Sequence, residues 1–194
     1  MGIQYTNRTR QTYYLHQGTT PSGKPKWFFS RKIPVKPVTE IPGGFEVYEN
    51  PDGQVFLRRI MPLVITDAEL AIVRSALREL AATKYWLAER KGEHVTIHAA
   101  KSLNAARWAL MGSLGLGLSV SADDTLREAI ESNLDYKPMF RLTLANETVR
   151  EFMIERWCFR SSIDGWYMLD GGQLQPLIRR YAPHLGAESF FELM

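Results

Sequence analysis

The sequence predicts an α+β fold of antiparallel β-hairpins with three or four amphipathic helices. Three observations point there. Aromatic and β-branched runs come in pairs around turn formers, strand-like and helix-like segments do not alternate, and the helix-like segments carry apolar residues three and four apart. At 194 residues and 45% hydrophobic content, the chain can bury one substantial core, or one core and a small satellite module. Its nine Phe, five Trp and eight Tyr argue against intrinsic disorder.

Residues 11–17 and 26–32 are rich in Tyr, Trp and Phe and flank Gly18, Pro21, Ser22 and Gly23; they predict a first hairpin. Pro34 and Pro37 bar the next stretch, 33–38, from a central strand and make it an edge or connector. Residues 45–49 and 54–59 surround Asn50, Pro51, Asp52 and Gly53, and the Asp-Gly pair suits the positive φ angles of a tight second hairpin. Beyond Pro62, Thr66 and Glu69 have capping-box spacing. Leu70, Val73, Leu77 and Leu80 then continue an amphipathic helix to about residue 83. Residues 85–89 and 94–99, joined around Lys91 and Gly92, predict a third hairpin.

A short helix is expected at 103–111. Ser121 and Asp124 open a further one toward residue 134. Pro138 should precede two long antiparallel strands, 139–145 and 149–159, with Asn146 in the turn. A short strand at 166–169 follows, after which Gly171 and Gly172 open a helix carrying Leu174, Leu177, Ile178 and Tyr181 until Pro183 stops it. Two domains are expected: a basic β-hairpin module over 1–60 and an α+β domain over 61–194.

The net charge is only +3, but it is unevenly placed. The first 39 residues hold Arg8, Arg10, Lys24, Lys26, Arg31, Lys32 and Lys36 and none of the chain's 21 acidic residues. An acid-free basic segment of this kind predicts contact with nucleic acid or another polyanion. No apolar run reaches the roughly 18 residues of a membrane span, so no membrane partner is expected. The single Cys158 fits a reducing, cytoplasmic setting, and between Trp157 and Phe159 it reads as a small core hydrophobe.

Catalytic patterns are weak. His94 and His98 flank the strand-forming Val95, Thr96 and Ile97; in a strand they stand about 13 Å apart, too far to share a metal. Gly112, Gly115 and Gly117 match neither phosphate-binding fingerprint. Ser161, Ser162 and Asp164 near Cys158 lack a glycine-flanked serine elbow. Asp123, Asp124 and Glu128 suit a first helical turn. No catalytic residue, metal or cofactor is therefore expected, and an enzyme would have to assemble polar groups around His94, Arg156 and Asp164.

The favoured expectation is a non-enzymatic binding protein. Arg8, Arg10, Lys24, Lys26, Arg31 and Lys32 would hold phosphates, and of the rings Tyr13, Tyr14, Trp27, Phe28 and Phe29, Tyr14 and Trp27 would stack on unpaired bases. Two alternatives stand beside it. One is a solvated basic face around a small aromatic core. The other is a protein partner or self-association through an aromatic patch of Trp166, Phe190 and Phe191. Residues 12–16, 24–30, 49–58, 156–164 and 183–194 resemble a group of bacterial proteins with no assigned activity; the resemblance implies a bacterial setting and transfers no site residue.

Overall fold

Gly53 and Gly92 take φ of +74° and +57°, the left-handed region that only glycine enters cheaply, and each reverses the chain between two adjacent strands. In the computed structural model, which describes residues 2–80, 85–100, 134–159 and 164–193, such reversals organise ten strands into three antiparallel sheets. By their contacts the described residues divide into two units. One comprises 2–60 with Leu134, and the other 61–80, 85–100, 135–159 and 164–193.

In the first unit β1 (Gln4–Thr6), β2 (Thr12–Thr19) and β3 (Pro25–Ser30) form a sheet in that order. A separate hairpin pairs β4 (Phe45–Glu49) with β5 (Val55–Arg59). Strand β1 was not expected; three polar and aromatic residues are too few for a visible alternation, and it forms by pairing Tyr5 with Tyr13. Alternation puts Leu15, Trp27 and Phe29 on one face. Leu15 is fully buried there, Val55 nearly so, and the Trp27 and Phe45 rings lie 6.4 Å apart. Residues 31–43 form no strand, as the two prolines require, and the segment is tied back where the Ile3 N–H donates to the Val38 carbonyl at 2.7 Å.

The second unit is built on a five-stranded sheet of order β10-β9-β8-β7-β6, from β6 (Trp86–Lys91), β7 (His94–Ala100), β8 (Tyr136–Asn146), β9 (Glu151–Cys158) and β10 (Gly165–Gln173). One face carries Val95, Ile97, Phe140, Leu142, Phe152 and Ile154, all essentially inaccessible. Helix α1 (Asp67–Glu79) contributes Leu70, Val73 and Leu77 to the same core, and helix α2 (Leu174–Tyr181) contributes Leu177 and Ile178. The capping box at Thr66 and Glu69 is present in both directions. The C-cap residue Leu80 turns extended, so the helix stops short of residue 83.

The expectation of three or four amphipathic helices is corrected. Among the described residues the protein is mainly antiparallel β, with two short α-helices and the 3-10 turns Ala182–His184 and Glu188–Glu192. The two helices and the buried Phe190 pack on one face of the five-stranded sheet, and its other face carries His94, Arg141, Thr143 and Glu155 with the rings of Trp157 and Trp166. The segments 103–111 and 121–134 expected as helices lie outside the described residues, save Leu134. Two local readings also change. Pro138 lies inside β8, at a register shift opposite Ile97 and His98, where a bulge spares the ladder the hydrogen bond that proline cannot make. Gly171 and Gly172 extend β10, paired with Met153 and Phe152, and α2 begins only at Leu174.

Candidate nucleic-acid interface

The face of the β2–β3 hairpin opposite Leu15 carries Tyr14 and His16 from β2 and Lys26 and Phe28 from β3. Cross-strand pairing sets His16 against Phe28, and the two rings stack with centroids 5.2 Å apart at 14°. The His16 Nε2 lies 2.8 Å from the Lys32 carbonyl; a carbonyl only accepts, so this nitrogen carries the proton and the ring is held in plane. Lys26 Nζ stands 5.9 Å from the Phe28 centroid. Phe28 is 41% exposed, which leaves an apolar ring in water with a cation beside it.

The other expected site residues are distributed around this face. Lys24 lies in the β2–β3 turn, and Arg31 and Lys32 directly follow β3; all three are exposed, as is Lys26. Among the described residues no ion pair joins any of these four. Arg10 is exposed in a tight turn at φ 58°. Arg8 is half-buried, its backbone N–H donating to Glu49 at 3.1 Å and its guanidinium to the Leu134 carbonyl at 3.5 Å, so it is engaged within its own unit. Tyr14 lies on the open face and Trp27 on the opposite one. His16 was not singled out from the sequence; its stacking on Phe28 follows from the cross-strand register.

On the Trp27 side of the same unit lies an open groove of about 660 Å³. Its lining includes Gln17, Trp27, Lys36, Glu40 and Gly43. The wall formed by residues 36–43 is anchored through Val38 to Ile3 and by the turn in which the Phe45 N–H donates to the Pro42 carbonyl at 3.1 Å.

The second unit handles its polar groups differently. On the sheet face away from the helices, His94 Nδ1 lies 3.0 Å from Thr143 Oγ1, and that hydroxyl donates to Glu155 at 3.1 Å. The proton order follows: a carboxylate only accepts, so Thr143 must donate to it and His94 must donate through Nδ1. Arg141 closes the chain with two donors on Glu155 at 2.7 and 2.8 Å and lies 4.6 Å from the Trp166 ring. Burial, followed by the nearby Arg141 charge, holds the His94 pKa below its ordinary value. The Arg141 hydrogen bonds hold the Glu155 carboxyl low, against the opposing effect of burial. His98 is buried and pairs with Glu89 at 3.1 Å.

The residues named for an enzyme are not brought together. Arg156, 8% exposed, points into the helix-covered face and donates to the Phe190 and Phe191 carbonyls at 3.2 Å, whereas His94 belongs to the opposite face and Asp164 is exposed before β10. Among the described residues no group of three or more His, Cys, Asp or Glu is arranged to hold a metal ion. The aromatic patch is also divided. Trp166 packs edge-on against Trp157 at 5.1 Å, Phe190 is core, and Phe191 is 62% exposed. Gly112, Gly115, Gly117, Asp123, Asp124, Glu128, Ser161 and Ser162 lie outside the described residues.

No protein family matches the chain, and neither a curated protein nor a solved structure is found to match it. Among the described residues no helix is long and apolar enough to cross a membrane.

Proposed function

We propose that this protein is a non-enzymatic, cytoplasmic binding protein that holds a polyanion, with nucleic acid the favoured example, on the basic β2–β3 hairpin. The observation that carries the reading is the exposed Phe28 ring, stacked on His16 and adjoined by Lys26, within a segment whose exposed cations Lys24, Lys26, Arg31 and Lys32 have no acidic partner among the described residues. An apolar ring left in water gains from covering by another flat ring, and cations without carboxylates gain from phosphates, which release condensed counterions on binding. Tyr14 adds a second ring to that face.

A salt titration tests the reading. Binding of labelled single-stranded and duplex DNA and RNA is measured from low to physiological salt; affinity should fall linearly on a log–log scale, with a slope set by the number of phosphates neutralised. No binding at low salt removes the proposal.

A further inference from the structure

The hairpin face described above takes charge and offers stacking to any flat group, so by itself it does not separate nucleic acid from an inorganic polyanion. The groove on the other side of β3 does. Its Trp27 ring is half-buried, packed on one side by Phe45 and open to the groove on another. The volume of about 660 Å³ falls within the range of small-molecule sites, about 300–1,000 Å³, and exceeds what a phosphate group alone would need. Its lining residues are mixed in charge and polarity, with Gln17, Glu40 and Lys36 among them. A groove meant only for phosphate would not count Glu40 in its lining, because a carboxylate repels a phosphate. A nucleobase, by contrast, presents N–H donors that a carboxylate and an amide oxygen accept, a π face that an indole stacks on, and an attached phosphate that a lysine neutralises.

Position supports the same ligand. Strand β3 is the edge of its sheet, and its consecutive residues Trp27 and Phe28 stand on opposite faces of that edge, about 3.3 Å apart along the chain. A single-stranded segment following the edge, with its phosphates near Lys24 and Lys26, meets Phe28 on one side and the Trp27 groove on the other. The wall opposite Trp27 is secured by the Ile3–Val38 hydrogen bond of 2.7 Å and contains Pro37 and Pro42, so little backbone freedom is lost on binding.

We infer that the groove lined by Trp27, Gln17, Lys36 and Glu40 is a nucleobase slot, and that the polyanion recognised by the hairpin is a single-stranded nucleic acid. This inference rests on the polyanion reading and adds the requirement for a base.

The full chain is titrated with three probes at fixed low salt: a short oligo(dT), an abasic oligodeoxynucleotide of equal length, and inorganic polyphosphate. Oligo(dT) should bind about 10-fold or more tighter than the abasic strand, in keeping with the usual strength of one base stacked on an aromatic ring. Trp27→Ala should erase that margin while Trp27→Phe keeps most of it. Because Trp27 also packs on Phe45, a second variant is needed. Gly43 lines the groove, and a Cβ there would meet nothing within 4 Å, so the backbone admits Gly43→Phe, which puts a ring at the groove and should abolish the preference for bases while leaving polyphosphate binding unchanged. If all three probes bind equally and Gly43→Phe changes none of them, the slot is refuted and the polyanion reading survives. If none binds, both are refuted.

Discussion

The two units differ in how their cations are placed: the second ties four arginines into ion pairs and leaves Arg74, Arg78, Lys91 and Arg179 exposed without one among the described residues, whereas the first gathers most of its exposed cations in one short stretch of sequence. In the second, Arg90 pairs with Asp67 at 2.9 Å, Arg141 with Glu155, Arg150 with Glu69 and Arg180 with Asp170 at 2.7 Å, and even the buried Arg156 is held by two main-chain carbonyls. In the first, Arg58 pairs with Glu46 at 2.8 Å, yet Lys24, Lys26, Arg31 and Lys32 stand exposed with no carboxylate among the described residues. Charges engaged in closed networks organise the fold; charges left toward solvent have interaction energy available for a partner. The sheets repeat the contrast, since the apolar face of the five-stranded sheet is covered by helices, whereas the β2–β3 face leaves Phe28 open.

The largest effect should come from breaking the second unit's core. Phe140→Ala is expected to cost about 3–5 kcal/mol, as for other buried aromatic truncations, whereas Phe28→Ala should stay within about 0.5 kcal/mol, as for most surface changes. Urea unfolding measures both, and comparable losses would erase the distinction between the rings. Next, replacing Lys24, Lys26, Arg31 and Lys32 together by Gln should lower the salt slope of oligonucleotide binding by about four, roughly one per cation, while Arg141→Gln should leave it unchanged. An equal drop for Arg141→Gln would show that the paired arginine also contacts ligand.

A smaller effect is expected at the start of α1, where Thr66→Ala removes one half of the capping box and should cost about 1 kcal/mol, read from the unfolding midpoint. The smallest concerns pH. Burial opposes the charge of Glu69, but hydrogen bonds from Arg150 and Thr66 outweigh it, and like Glu155 its carboxyl is held below the ordinary value. A carboxylate whose folded pKa is lowered contributes stability above the unfolded value of about 4.3, and that contribution is lost as pH falls through the folded pKa. Glu69→Gln with Glu155→Gln should therefore lower stability at neutral pH and flatten its decline on acidification. An acid limb unchanged in slope would show that these pairs contribute nothing.

Much of the hairpin pattern was legible in the residues. The turn formers from Pro21 to Gly23 and from Asn50 to Gly53, together with the spacing of Thr66 and Glu69, are local signals that need no tertiary information, and each appears where the chain makes a turn or begins a helix; Gly18, read with the first turn, is instead paired with Lys26 inside β2. The extents of elements were less legible. Gly171 and Gly172 read as a helix start because their own propensity is weak, but pairing with Met153 and Phe152 holds them in β10. Pro138 read as a boundary, but a bulge admits it to β8.

The sequence by itself determined the charge asymmetry and the turns that reverse the chain, because composition and local backbone preference depend on few neighbours. Only the tertiary structure decided which face each aromatic ring occupies, which cations meet a carboxylate, and that two described helices pack on one face of the five-stranded sheet. Those outcomes depend on strand register, and register is set by contacts between residues far apart in the chain: a shift of one position would exchange Phe28 for Trp27 on the open face.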